Sequence, residues 1–202
     1  MNLNIGSKVD MSEPLQFLLS IEIRNDNHDN GIDVESLIKR ASSAIAEKAK
    51  YKFRVFGEAK IIAIFQVNDD SVVNMVTSDI MKMGPYTVTC TPLCEYDSGE
   101  KHSGYNGPKT QRILSGEHVV WFEVAYNHGI SHEDFDRLWS MNVRTMVNEG
   151  RQGLSQTEVF KILAEKRVYA FSCKLPTETW EAHIQSFKLD KIYKNAKLVT
   201  KL

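Results

Sequence analysis

The 202-residue chain carries one order of elements twice, and that repetition narrows the folds open to it more than any other feature. Each copy opens on an alternating apolar run, "LQFLLSIEIRN" at 15–25 and "HVVWFEVAYN" at 118–127. Such a period of two is the signature of a strand with one covered face. A capped segment of helical period follows each run. In the first copy Asp33 is placed as N-cap of "VESLIKRASSAIAEKAK", where Val34, Leu37, Ile38, Ala41, Ile45 and Ala49 recur at helical spacing. In the second, Ser131 and Asp134 form the reciprocal pair of a capping box before "HEDFDRLWSMNVRTMVNEG", which is expected to end near Gly150. Next come two strand-like runs in each copy: "YKFRVFG" and "AKIIAIFQV" around a turn at Gly57-Glu58, then "TEVFKILAEK" and "RVYAFSCKLP". A second helix and a last strand close each copy: "NDDSVVNMVTSDIMKM" with "PYTVTCTPL", and "ETWEAHIQSFKL", capped by Thr177, with "NAKLVTKL".

The order is β-α-β-β-α-β, the ferredoxin-like unit, and it occurs in tandem. One unit covers one sheet face with its own two helices and leaves the other bare. Two units in one chain can close their sheets on each other. The expected fold class is therefore α+β: two tandem ferredoxin-like units forming one intramolecular barrel around a central cavity. The divisions read from the sequence are a polar extension at 1–14, a first unit at 15–95, a linker at 96–117 rich in Gly, Ser and charge, and a second unit at 118–202.

Composition removes several classes of function. A formal net charge of −1 leaves no electrostatic footprint for nucleic acid. No apolar run approaches the length of a membrane span. The opening "MNLNIGSKVDMSEP" holds no apolar signal core, so a cytoplasmic location is expected. Three cysteines fit reduced thiols better than a disulfide framework. Cys90 and Cys94 lie four apart, too far along a strand to share one ion, and no second ligand pair accompanies them. His128 and His132 are separated by a glycine and a helix N-cap, so no metal is expected. No glycine-rich phosphate loop is present, and "NEGRQG" is too short and badly spaced for a dinucleotide.

Candidate site residues come from the two opening strands. Phe17, Leu19, Ile21 and Ile23 share one face of the first, and Leu18, Ser20, Glu22 and Arg24 the other. In the second, Val120, Phe122, Val124 and Tyr126 oppose Val119, Trp121, Glu123 and Ala125. Apolar faces should meet helices and mixed faces the cavity, which puts Glu22 and Glu123 in equivalent places between the sheets. A carboxylate in an apolar cavity has a raised pKa and can shuttle protons near neutral pH. The other reading pairs each glutamate with a cation, such as Arg24, at a barrel mouth. Trp121 is placed either to stack on a flat ligand or to pack in the core. Ser20 is a candidate donor to a bound carbonyl. Tyr169 and Phe171 share a strand face and line either the cavity or the helix layer.

The stretches "FGEAKIIAIFQVNDDS" and "MKMGPYTVTCTPL" carry a family likeness. A glycine turn, a strand ending in a Phe-x-Val step, a helix, and a Pro-Tyr strand start running to Pro-Leu follow one another. In that layout the first half resembles muconolactone Δ-isomerase and its relatives in the dimeric α+β barrel superfamily. The second half resembles them more weakly and lacks the Pro-Tyr step. The resemblance implies that Pro85 stops the second helix, that Tyr86 starts the fourth strand, and that Pro92 ends that strand's pairing. It also implies Tyr86 as an orienting donor near the cavity. With Glu22 or Glu123 as acid/base, the expected function is a cofactor-independent isomerase or cyclase acting by proton transfer on a lactone or other carbonyl compound. The alternatives are a non-catalytic carrier or sensor of a small hydrophobic ligand, and a cofactor-free oxygenase, since relatives of the fold do that chemistry. Haem is disfavoured because no histidine falls on a cavity-facing strand position, and no cofactor is expected. The expected partner is a small apolar or carbonyl-containing ligand, without nucleic acid or membrane, in a pseudo-dimeric monomer or a homo-oligomer of such barrels. Glutamates held in salt bridges in an apolar cavity would favour the carrier.

Overall fold

A computed structural model of the chain describes residues 14–24, 33–45, 48–95, 114–126, 129–131, 133–134, 137–138, 141, 156–163, 165–189 and 192–202. The expected helix end at Gly150 and the linker up to residue 113 lie outside them. The elements are β1 (Leu15–Ile23), α1 (Val34–Ile45), β2 (Ala49–Val55), β3 (Lys60–Val67), α2 (Ser71–Met83), β4 (Tyr86–Glu95), β5 (His118–Ala125), β6 (Gln156–Ile162), β7 (Arg167–Cys173), α3 (Thr177–Leu189) and β8 (Tyr193–Lys201). Between β5 and β6, residues 133, 134, 137, 138 and 141 are helical. None of the described helices is long and apolar enough to cross a membrane.

All eight strands close into one barrel in the order β1-β3-β2-β8-β5-β7-β6-β4. Each ferredoxin-like unit supplies four neighbouring strands. The two seams join the second strand of one unit to the last strand of the other: β2 to β8 through Phe53↔Lys201 and Val55↔Val199, and β4 to β6 through Leu93↔Ile162 and Glu95↔Phe160. Closure removes the edges that either sheet would leave bare.

Three cores follow from strand alternation. Leu19, Ile21 and Ile23 of β1 pack with Ile61, Ala63 and Phe65 of β3 beneath Ile38, Ala41 and Ile45 of α1 and Val73, Val76 and Ile80 of α2. Phe122 and Val124 of β5 pack with Val168 and Ala170 of β7 under Leu138, Trp180 and Ile184. The remaining faces meet inside the barrel, where Leu18, Tyr51, Phe53, Ile62, Ile64, Trp121, Phe160, Tyr169, Phe171 and Val199 form one cluster. The cavity expected at the centre is filled by these rings. Tyr51 stacks on Phe53 at 5.8 Å, Phe53 on Phe171 at 5.5 Å, and Phe171 on Trp121 at 6.2 Å. An eight-stranded barrel is just wide enough to be filled by side chains or to hold one small ligand, and four strands here each turn a large ring inward.

Local chemistry sets the element ends. The Asp33 carboxylate accepts the Ser36 N–H at 3.1 Å, capping α1 as its sequence indicates. Ser131 Oγ accepts the Asp134 N–H at 3.0 Å, one half of the expected capping box, and donates to Asp134 Oδ2 at 2.9 Å. Gly57 takes φ 76° in the β2–β3 turn, a conformation that favours glycine. Three expectations shift. The helix over α1 stops at Ile45, and Ala49 starts β2, because alternation of Tyr51, Phe53 and Val55 toward the interior takes over there. Thr177 is the first residue of α3 and not its cap; the Trp180 N–H bonds the Pro176 carbonyl at 3.0 Å. Pro92 does not end its strand. It pairs with Phe17 within β4, and its carbonyl turns outward to accept the Leu163 N–H at 3.1 Å. Its missing donor therefore points away from β1, where it interrupts no pair of that ladder.

The end of the linker closes one end of the barrel. Leu114 is wholly buried; its N–H bonds the Tyr51 hydroxyl at 3.2 Å and its carbonyl accepts Lys201 Nζ. Ser115 donates through N–H and Oγ to Gln156 Oε1 at 2.8 and 2.9 Å, and Cys173 Sγ donates to the same oxygen at 3.1 Å. A Cβ on Gly116 would sit 2.8 Å from Cys173 Cβ. Cys90 and Cys94 are exposed and Cys173 is buried. Thiol titration of the native protein should therefore show two fast thiols and one that reacts only on opening of this end. Gly116→Ala should speed the slow thiol by roughly tenfold, the equivalent of about 1.4 kcal/mol in an opening equilibrium. An unchanged slow phase would refute the close packing of Gly116 on Cys173.

Candidate functional site at the upper mouth

Every strand is antiparallel to both neighbours, so β1 and β5 run in the same direction on opposite walls. Their C-terminal ends, with Glu22 and Glu123, reach the same mouth, here called upper. The register matches them: Glu22 lies opposite Lys60 and Thr87, with Ile23 opposite Tyr86, while Glu123 lies opposite Tyr169 and Asn195, with Val124 opposite Tyr193.

The surroundings of the two glutamates differ. Glu22 is exposed. Ser20, half-buried, pairs with Thr89, and Thr87 and Thr89 are exposed although their register turns them inward. This wall of the mouth is thus built from short polar side chains that leave it open to solvent. Glu123 is 6% exposed. Its Oε1 faces Lys194 Nζ at 3.1 Å and Arg167 Nη2 at 3.4 Å, and its Oε2 accepts Asn195 Nδ2 at 2.7 Å. Two cations and an amide surround it, the arrangement that makes burial of a charge tolerable. Arg167 also pairs with Glu165 at 3.2 Å.

Tyr169 stands beside it. Its hydroxyl accepts a hydrogen bond from Arg167 Nη2 at 2.7 Å. Burial, and then the Glu123 charge, push the phenol pKa above its ordinary value of 10.0, with Arg167 opposing. The phenol therefore stays protonated at neutral pH, and its own hydrogen has no acceptor among the described residues. Trp121 meets Tyr169 edge to face at 5.6 Å, and Lys197 Nζ, paired with Glu58 at 2.5 Å, lies 5.9 Å over the indole. The Trp121 Nε1–H and the Asn195 Oδ1 are both shut off from solvent, without a hydrogen-bond partner among the described residues. Phe171, fully buried, forms the floor between Trp121 and Phe53.

Tyr86 takes another place than the one expected. It does start β4 after α2, but its side chain belongs to the core beneath the helices, and its hydroxyl donates to the Leu37 carbonyl of α1 at 2.9 Å. Tyr86 lies opposite Ile23, so alternation turns both away from the interior. It is a clamp between sheet and helix.

Arg167, Lys194 and Asn195 were not read from the sequence; only the pairing of β5 with β7 and β8 brings them to Glu123. Glu158 was missed as well. It is buried at the lower mouth, 3.0 Å from Lys50 Nζ and 2.5 Å from the Tyr51 hydroxyl. The face test applied to β1 and β5 would have found it, since Glu158 alternates with Phe160 and Ile162. Among the described residues no group of three or more His, Cys, Asp or Glu could hold a metal ion.

No family model and no curated protein matches the sequence. Solved structures do match in shape. One is TA0507, a protein provisionally assigned as a chlorite dismutase: 9% identity, 95% of this chain and 96% of that one covered, TM-score 0.58. A mutant chlorite dismutase from Candidatus Nitrospira defluvii matches at 10% identity over 95% of this chain and 92% of its own, TM-score 0.56. At such identities the likeness is one of fold, the ferredoxin-like α+β barrel, and it spans both units.

Proposed function

We propose that the chain binds a small, flat, largely apolar carbonyl compound at the upper mouth, without a cofactor, as a carrier or sensor. The observation that carries this is the Tyr169 hydroxyl: buried, kept protonated, backed by Arg167, and with a hydrogen that no described residue accepts. A carbonyl oxygen is the acceptor such a donor suits, and the aromatic surroundings of Tyr169 suit an apolar ligand. The engagement of Glu123 by Arg167, Lys194 and Asn195 favours an orienting charge over a free base. Ser20 and Glu22, on the open wall, are proposed to line the entrance.

A second reading makes the site catalytic, in the manner of the muconolactone isomerase resemblance. It is favoured by the adjacency of a carboxylate and a phenol, the acid–base pair that enolisation needs. Glu123 would take a proton next to the carbonyl while Tyr169 stabilises the enolate oxygen. An enolate that meets dioxygen is the starting point of cofactor-free oxygenation, so the same pair would serve that branch as well.

Calorimetric screening of aromatic ketones and lactones tests the proposal. Binding to the wild type should weaken about tenfold or more in Tyr169→Phe, the loss of one hydrogen bond of about 1.4 kcal/mol. Affinity in the wild type should hold through neutral pH and fall only as pH rises beyond the ordinary phenol value of 10.0. Equal affinity in both proteins would overturn the role of Tyr169. Turnover in the wild type that vanishes in Glu123→Gln with affinity kept would establish the enzyme.

A further inference from the structure

Resting on that reading, the buried polar atoms beside Tyr169 specify the ligand further. We infer that it presents a donor and an acceptor side by side on one edge, as a cyclic amide does, and not an acceptor alone, as a lactone does. Among the described residues Trp121 Nε1, which carries a hydrogen, has no acceptor, and Asn195 Oδ1, an acceptor, has no donor. The amide cannot be read the other way round. Its Nδ2 lies 2.7 Å from Glu123 Oε2, and only an NH₂ group can donate to a carboxylate. The oxygen is thereby fixed on the side away from Glu123.

The two atoms are close in the sheet. Asn195 pairs with Glu123, and Trp121 precedes Glu123 by two residues on the same inward face, so their positions are diagonal neighbours across one strand pair. Such neighbours lie about 7–8 Å apart, within reach of one small molecule. Leaving either atom unpaired in a closed core costs about 1–3 kcal/mol, which makes a complementary edge the strongest available gain on binding. A lactone carbonyl would satisfy Trp121 or Tyr169 and leave Asn195 stranded. An N–H beside C=O satisfies Asn195 together with Trp121 or Tyr169. The ring that bears this edge would enter from the opposite wall, where the short side chains of Ser20, Thr87 and Thr89 give it room.

The test uses a matched pair of flat bicyclic probes, 2-quinolone with the amide edge and coumarin with the lactone in the same place. Titration calorimetry on the whole chain should give 2-quinolone at least tenfold tighter binding than coumarin. Saturating 2-quinolone should also shift the Trp121 indole N–H resonance, assigned by its absence in Trp121→Phe. Asn195→Leu should erase the preference by weakening 2-quinolone while coumarin changes little; Trp121→Phe, which keeps Asn195, checks that any loss is not one of folding. Equal binding of the two probes by the wild type would overturn the paired edge and leave the carbonyl site standing. If neither probe binds, and the aromatic ketones fail too, both proposals fall together. A preference that survives in both variants would place the quinolone elsewhere and overturn this inference alone.

Discussion

Glu123→Ala should lower the melting temperature by roughly 10 °C, one of the two largest single-residue effects expected in this protein. The reasoning starts from what is left behind. Lys194 and Asn195 lose the Glu123 carboxylate as their acceptor, and Arg167 keeps as its acidic partner Glu165, 3.2 Å away on the exposed rim. Breaking a buried pair by removing one partner costs about 3–5 kcal/mol. For a chain of this size each kcal/mol is worth about 2–4 °C. Glu123→Gln should lie between, because an amide oxygen can still accept from Asn195 while the two cations face a neutral group. Scanning calorimetry of the three proteins checks the order. If Ala and Gln were both within 1 °C of the wild type, the cluster would hold nothing together.

Phe171→Ala is expected to match it for a different reason. Phe171 is wholly buried, stacked between Phe53 and Trp121, with the edge of Phe160 against it at 6.0 Å. Removing a buried phenyl ring costs about 3–5 kcal/mol, a transfer loss plus a cavity that the barrel wall cannot collapse to fill. The closed strand order resists that collapse, since no edge strand can slide inward. The hole left is apolar and should stay dry. Benzene at millimolar concentration should then raise the melting temperature of Phe171→Ala and leave the wild type unmoved. A variant that loses little stability and takes up no benzene would mean that the stack repacks freely.

These two residues show where the sequence speaks and where it does not. Alternation in "SIEIRN" and "WFEVAYN" assigned each strand its two faces, and Leu19, Ile21, Phe122 and Val124 do lie under helices while Leu18, Val119 and Trp121 lie inside. Strand faces are legible because the backbone repeats every two residues whatever the neighbours are. The tandem repeat gave the α+β class, since a half-covered sheet has few ways to finish itself. Caps were legible at Asp33 and Ser131, where the signal spans three residues.

Whether a face encloses a cavity or a packed core depends on the volume of side chains from four different strands. Tyr51, Phe53, Trp121, Phe160, Tyr169 and Phe171 are up to 120 residues apart in the chain, and only closure of the barrel brings them into one stack. The resemblance that made Tyr86 a cavity residue rested on a local motif, and the motif does place the strand start; the register of β4 against β1 then turns its ring toward α1. The same holds for charge. Two glutamates with equivalent positions on equivalent strands end as an exposed Glu22 and a buried, three-partnered Glu123, because their neighbours on adjoining strands differ. The sequence by itself determined the order of elements and the two faces of each opening strand, which follow from short-range periodicity, and the closing of the two halves on each other, which follows from the sheet face each leaves bare. Only the tertiary structure decided which side chains meet across the barrel, and with them the site, because contact energies between distant strands leave no periodic trace in either strand alone.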